Sequence, residues 1–290
     1  MALPHILRCR AWGNYGGDMR RLFISMLICL GCSGWGMAQE SSAAPSRLRS
    51  LLSGEDARDW SGVGQLHIAG QIMCSGALIA DDIVITAAHC VHDPDSHRRF
   101  DPAQIEFLAD LRAGRPSAVR KGRYLSVIPQ YNPGSGKRAQ VESDVALLML
   151  DRPIRSFSVT PFALGISPAP GENVGVVSYA HDRTESPALE ETCAVEAREG
   201  LALILTCSVA AGSSGAPVLR IENGVATVVS VVSATGQIDN RQVAISTVLD
   251  GRVDLLLAEI NAHPRAQGIG VNRLTPDSSR NGSGAKFLRP

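Results

Sequence analysis

Ile83-Val84-Ile85-Thr86-Ala87-Ala88-His89-Cys90 is the stretch that decides the fold. Its first four residues are a β-branched run of strand length, and the run stops on an imidazole followed by a cysteine. A similar run, Cys74-Ser75-Gly76-Ala77-Leu78-Ile79, precedes it and places a cysteine fifteen residues before His89. Short apolar runs recur along the chain at 64–68, 74–79, 83–86, 104–108, 124–128, 145–150, 173–179, 192–198, 201–207, 217–221, 226–233 and 243–247, punctuated by Gly, Pro, Asn or Asp. A dozen short strands with closely spaced turns and few helical patterns predict an all-β barrel or sandwich. The clearest turn is Glu199-Gly200, whose flanks carry Cys193 and Cys207 about seven residues to either side. One helix is predicted late, where Val253, Leu256, Leu257 and Ile260 recur at three- and four-residue steps after Asp250.

Of the 290 residues, 20–38 have the layout of a secretory signal peptide: Arg20-Arg21, an apolar run from Leu22 to Leu30, and small residues ending at Gly36-Met37-Ala38. That apolar core is nine residues long, short of the roughly 20 that span a bilayer. Met19 is a second possible start and would give the signal a short n-region. The expected organisation is an N-terminal extension and signal peptide over 1–38, a flexible leader or short propeptide over 39–55, one folded domain over 56–263, and a flexible polar tail over 264–290. With the signal set aside, four of seven cysteines remain, an even number suited to an oxidising compartment. Of their three possible pairings, the local one joins Cys74 to Cys90 and Cys193 to Cys207. It closes loops short enough for neighbouring strands, each worth about 3 kcal/mol. The closely spaced pairs of a zinc site are absent, so no metal and no cofactor is expected. The destination is periplasmic or secreted.

Charge and composition exclude other classes. Basic and acidic residues balance at 28 each, which offers no field for nucleic acid or an anionic membrane. Aromatics at 4% leave no base-stacking platform. No stable membrane insertion is expected after signal removal, and the protein is expected to be a monomer.

Three segments carry chemistry together: the run ending at His89, the run Ser143-Asp144-Val145-Ala146-Leu147-Leu148, and Ala211-Gly212-Ser213-Ser214-Gly215-Ala216-Pro217. A hydroxyl is a poor nucleophile at neutral pH, so an imidazole must take its proton as attack begins. The imidazole needs a carboxylate on its other nitrogen to fix tautomer and orientation. The attacked carbonyl needs fixed N–H donors, which a tight Gly-Ser-Ser-Gly turn can present. Each piece alone has an ordinary structural explanation: a histidine at a strand end, an aspartate capping a turn, a Gly/Ser turn. The combination, in the order His, Asp, Ser, does not.

With these residues the sequence resembles the trypsin-like, chymotrypsin-fold serine proteases over about Trp60 to Ile260. The resemblance implies two six-stranded antiparallel Greek-key β-barrels with a C-terminal helix, and hydrolysis of protein or peptide substrates. It further implies His89 as base, Asp144 as its orienter, Ser214 as nucleophile, and the Gly212 and Ser214 amides as oxyanion hole. Cys74–Cys90 would anchor the histidine loop, and Ser233 would hydrogen-bond the triad carboxylate. Animal members carry an aspartate before the catalytic serine, which binds an amino terminus freed on activation. Ser213 stands there, which brings the chain nearer to bacterial secreted members such as the glutamyl endopeptidases. Activity is therefore expected without an inserted terminus, and to fall as His89 protonates, near or below an unperturbed value of about 6.5.

The implied specificity pocket is neutral. Ser208 falls at its floor where an acid would select Lys or Arg. Val232 precedes Ser233 where glutamyl endopeptidases carry histidine, and Ala244 stands on the opposite wall, so small or medium uncharged P1 residues are expected. Two alternatives are weighed. A catalytically silent binding or adhesion module of the same fold would have lost a triad residue, and all three are present. An α/β esterase would place its serine first in chain order.

Overall fold

The computed structural model describes residues 48–263. The expected signal peptide, residues 39–47 of the expected leader, and the expected tail lie outside the described residues. The twelve apolar runs each form a strand, and two short strands join them. In chain order these are β1 (Arg49–Ser50), β2 (Val63–Ile68), β3 (Ile72–Ala80), β4 (Ile83–Thr86), β5 (Ile105–Ala109), β6 (Ala118–Val127), β7 (Ala146–Leu150), β8 (Ala163–Leu164), β9 (Asn173–Ala180), β10 (Arg183–Glu199), β11 (Ala202–Leu205), β12 (Pro217–Glu222), β13 (Val225–Ile238) and β14 (Arg241–Val248). The helices are α1 (Lys137–Glu142) and α2 (Arg252–Asn261).

The strands make two antiparallel barrels. The first closes in the order β2-β3-β4-β7-β6-β5. The second runs β10-β11-β14-β13-β12-β9, and pairing of β9 with β10 completes the ring. Closure removes the exposed edges that short strands otherwise present. Alternation explains which side chains fill each barrel: along β5, Ile105, Phe107 and Ala109 are buried while Glu106 and Leu108 are less so. β7 is buried at every position because one face fills the barrel and the other is covered. The late apolar stripe forms α2, which buries Val253, Leu256 and Ile260 against β6 and β7 of the first barrel. Glu259 on the same helix accepts hydrogen bonds from Tyr124 and Ser126, both at 2.5 Å. Cys74–Cys90 and Cys193–Cys207 are bonded, with Cα separations of 6.3 and 5.1 Å.

Two boundaries differ from the sequence expectation. The ordered body begins inside the stretch read as a flexible leader: Arg49 and Ser50 pair with Leu189 and Ala188 on β10. Leu51 is fully buried, its amide bonded to Pro187 O. Three residues held by a neighbouring strand carry no periodicity of their own, so composition hides them. β10 begins at Arg183, well before 192, because a tight turn at His181-Asp182 returns the chain directly from β9 and lets polar residues pair along it.

Because Leu51 packs into the core, Leu51→Ala is expected to lower stability by about 2–4 kcal/mol in chemical denaturation. An unchanged midpoint would place residues 49–51 outside the folded body.

Candidate active site

β4 ends at Thr86, and the chain turns through a short 3-10 segment, Ala88–Val91, that carries His89. The Cys74–Cys90 bond ties this turn to β3. Asp144 lies between α1 and β7 and is 2% exposed. Its Oδ1 accepts the His89 amide at 2.7 Å, and its Oδ2 accepts His89 Nδ1–H at 2.6 Å and the Ser233 hydroxyl at 2.5 Å. A carboxylate only accepts, so the proton on the ring sits at Nδ1 and Nε2 is left to act as a base. Burial works against a charged imidazole. The charge of Asp144 and its hydrogen bond outweigh burial, and His89 titrates above 6.5. That reverses the sequence expectation of a value near or below the ordinary one.

Ser214 sits on a turn whose peptides are each held. The Ala211 carbonyl accepts from the His181 amide at 2.9 Å, and the Gly212 carbonyl from Ser75 Oγ at 3.0 Å. The Ser213 amide donates to Ala210 O at 2.9 Å, and the Ser213 carbonyl accepts from Ala216 N–H at 3.0 Å. The Ser214 carbonyl accepts the Ser75 amide at 2.8 Å, and the Gly215 amide donates to Val232 O at 2.8 Å. Three amides in this segment have no acceptor among the described residues: that of the exposed Ala211, and those of Gly212 and Ser214. The Gly212 and Ser214 amides lie beside one hydroxyl, and two free donors there are a ready site for a developing oxyanion. Left-handed φ values of 95° at Gly212 and 79° at Gly215 make the turn possible. A Cβ on Gly215 would lie 2.1 Å from Thr86 Oγ1 and 3.0 Å from Ala87 N, so the turn is pressed against the residues that lead into His89. Ser214 is partly exposed, and its hydroxyl makes no hydrogen bond among the described residues, to His89 or to any other group. Catalytic hydrogen bonds commonly tighten only when substrate is bound.

Ser213, 1% exposed, hydrogen-bonds Ser178 Oγ and Tyr179 O, both at 3.1 Å. The Arg183 guanidinium donates to Ser178 Oγ at 3.1 Å and reaches Ser213 Oγ at 3.5 Å. The position where a carboxylate would receive an inserted terminus is thus filled by hydroxyls braced by an internal cation. Of the expected pocket residues, Val232, Ser233 and Ala244 are buried on β13 and β14, and Ser208 is exposed. The Ser208 amide donates to the buried Glu190 carboxyl at 2.6 Å. A cavity of about 230 Å³ is lined by Lys137, Arg138, Val141, Glu199, Ile204 and Ile245, among others, and by none of the expected pocket residues. Cys74, His89 and Cys90 cluster closely, but the two sulfurs are joined and offer a metal no thiolate.

Three contributors escape sequence reasoning. Ser75, Arg183 and Glu190 lie far in sequence from Ser214, and nothing local marks them.

The fold and this arrangement meet in the comparisons with known proteins. The trypsin-like peptidase domain family matches residues 74–229, and the chain belongs to that family. It is 30% identical over 139 residues to the vitellin-degrading protease of Bombyx mori, covering 45% of this chain and 46% of that one. It is 35% identical over 86 residues to the modular serine protease of Drosophila melanogaster, covering 28% and 13%. The chain spans less than half the length of these curated relatives. Among solved structures, a Glu endopeptidase superposes with a TM-score of 0.63 at 15% identity, over 76% of this chain and 99% of that one. A thermostable serine protease from an extremophilic microorganism gives 0.58 at 16%, over 71% and 100%. At these identities the superpositions speak to the fold.

NMR titration of the His89 ring should give a midpoint above 6.5. Asp144→Asn should bring it below, because burial remains while the carboxylate's charge is gone. A midpoint insensitive to that change would remove Asp144 as the ring's electrostatic partner.

Proposed function

We propose that the chain is an exported serine endopeptidase that cleaves protein or peptide substrates through an acyl-enzyme on Ser214. The observation that carries this reading is the pair of unpartnered amides, Gly212 and Ser214, flanking a hydroxyl on a turn pressed against the His89 segment. Ser214 Oγ attacks the scissile carbonyl carbon and passes its proton to His89 Nε2, while the carbonyl oxygen gains charge against the two amides. Collapse breaks the C–N bond, and the leaving amine takes the proton from His89. Water then repeats the sequence, giving its proton to His89 and releasing the acyl group as acid. Asp144 orients the ring and favours its cation throughout.

The two disulfides suit an oxidising compartment, and no helix among the described residues is long and apolar enough to cross a membrane. The Ser213 network, filled from within, supports activity without an inserted amino terminus.

A fluorophosphonate should label the folded protein, and Ser214→Ala should abolish labelling; a folded chain that stays unlabelled would instead be a silent module. Hydrolysis should lose activity on the acid side with a midpoint above pH 6.5, since the raised His89 value means the neutral base is depleted before the ordinary imidazole midpoint is reached. Ser75→Ala removes the hydroxyl holding the Gly212 carbonyl. It should lower kcat by about tenfold with KM little changed, less than the loss of an oxyanion donor itself.

A further inference from the structure

We infer that Met73 is an oxidation site of this protease, and that conversion of its thioether to the sulfoxide by a peroxide disables the Gly212 side of the oxyanion site. The inference rests on the Gly212 and Ser214 amides being the oxyanion donors. β3 carries Met73 and Ser75 two positions apart, so both project to one face. Their partners on β2 are His67 and Gln65, and His67 is exposed, so this face lies outside the first barrel. Both residues reach Gly212. Ser75 Oγ holds its carbonyl at 3.0 Å, and the Met73 methyl is packed against its backbone, where a Cβ would lie 2.4 Å from Met73 Cε. Ala180 Cα lies 3.0 Å from the same point, so Gly212 is hemmed in by two strands.

The sulfur is held as well as the methyl. Gln65, 1% exposed, donates from Nε2 to Met73 Sδ at 3.0 Å and to Thr184 O at 3.0 Å. His67 Nε2–H donates to Gln65 Oε1 at 2.5 Å. The Thr184 carbonyl can only accept, which fixes the Gln65 amide with its NH2 toward the sulfur. The thioether thus already faces a donor, although a neutral sulfur is a weak acceptor.

Two methionines fall among the described residues. Met149, on β7, is 1% exposed in the first barrel's core, whereas Met73 is partly exposed. Hydrogen peroxide in solution therefore meets Met73 first. The sulfur lone pair attacks one peroxide oxygen and the O–O bond breaks. The proton of the transferred oxygen passes to the departing hydroxide, which leaves as water. Sulfur is oxidised by two electrons and the peroxide is reduced by two. The product carries a polar, accepting oxygen on a side chain already in contact with Gly212. Either Gly212 shifts to make room or its N–H turns to the new acceptor. In both cases the substrate's carbonyl oxygen loses a donor, which acts on the transition state more than on binding.

The test treats the full-length chain with hydrogen peroxide and follows it by peptide mass spectrometry and by hydrolysis. Met73 should gain one oxygen well before Met149 does. As it does, kcat should fall by about tenfold or more with KM within about twofold, a share of the loss on removing an oxyanion donor. Methionine sulfoxide reductase should restore the rate. Met73→Leu keeps the volume without the sulfur, and it should hydrolyse substrate at a rate that peroxide does not change. Full oxidation of Met73 with kcat intact, or an equal loss in Met73→Leu, would overturn the proposal. Should the leucine variant fail to fold, reversal by the reductase decides. A chain that resists a fluorophosphonate before any oxidation defeats the peptidase reading instead. The proposal then stands or falls on the Gly212 amide resonance in NMR, which a sulfoxide packed against Gly212 shifts and a remote one leaves in place.

Discussion

A buried carboxylate is costly unless it is hydrogen-bonded, and the donors that satisfy Asp144 come from both barrels. His89 follows β4 of the first barrel and gives its amide and its ring; Ser233 on β13 of the second gives its hydroxyl. The aspartate is thus shared across the seam between the barrels. The histidine turn must approach β13 closely for Asp144 to be satisfied, so the same requirement that stabilises the seam sets the orientation of the imidazole.

The nucleophile turn is fixed by the converse device. Ser75, fully buried on β3, uses its amide, its hydroxyl and its carbonyl to join the Ser214 turn, β9 and Thr86. Its amide and hydroxyl engage the carbonyls of Ser214 and Gly212, which keeps those oxygens turned away from the two unpartnered amides. Pre-orientation of this kind costs nothing at the moment of reaction because folding has already fixed the dipoles.

Much of this was legible in the chain before its structure. The strands were, because inward-facing residues of small barrels impose short apolar runs between turns; His89, Asp144 and Ser214 stand out as candidates because each sits in a short local motif. What was hidden depends on placement across strands. Arg49–Leu51 is ordered by β10, without any pattern of its own. α1 is six residues long with no fully buried side chain, too short for an apolar stripe. The links from Arg183 to Ser213 and from Glu190 to Ser208 join residues 30 and 18 positions apart, visible only once β9 and β10 are laid beside the Ser214 segment.

The two ends of the described body are exchanged between its halves. β1 leads into the first barrel yet pairs with β10 of the second, while α2 follows the second barrel yet packs on β6 and β7 of the first. Each barrel is belted to the other by a segment from the far side, in addition to the covalent crossing between β7 and β9. A single cut in that crossing would leave both belts fastened and the two halves clasped. Such interlacing makes the placement of the His89 segment beside the Ser214 segment depend on packed strands and a helix as well as on the covalent connection.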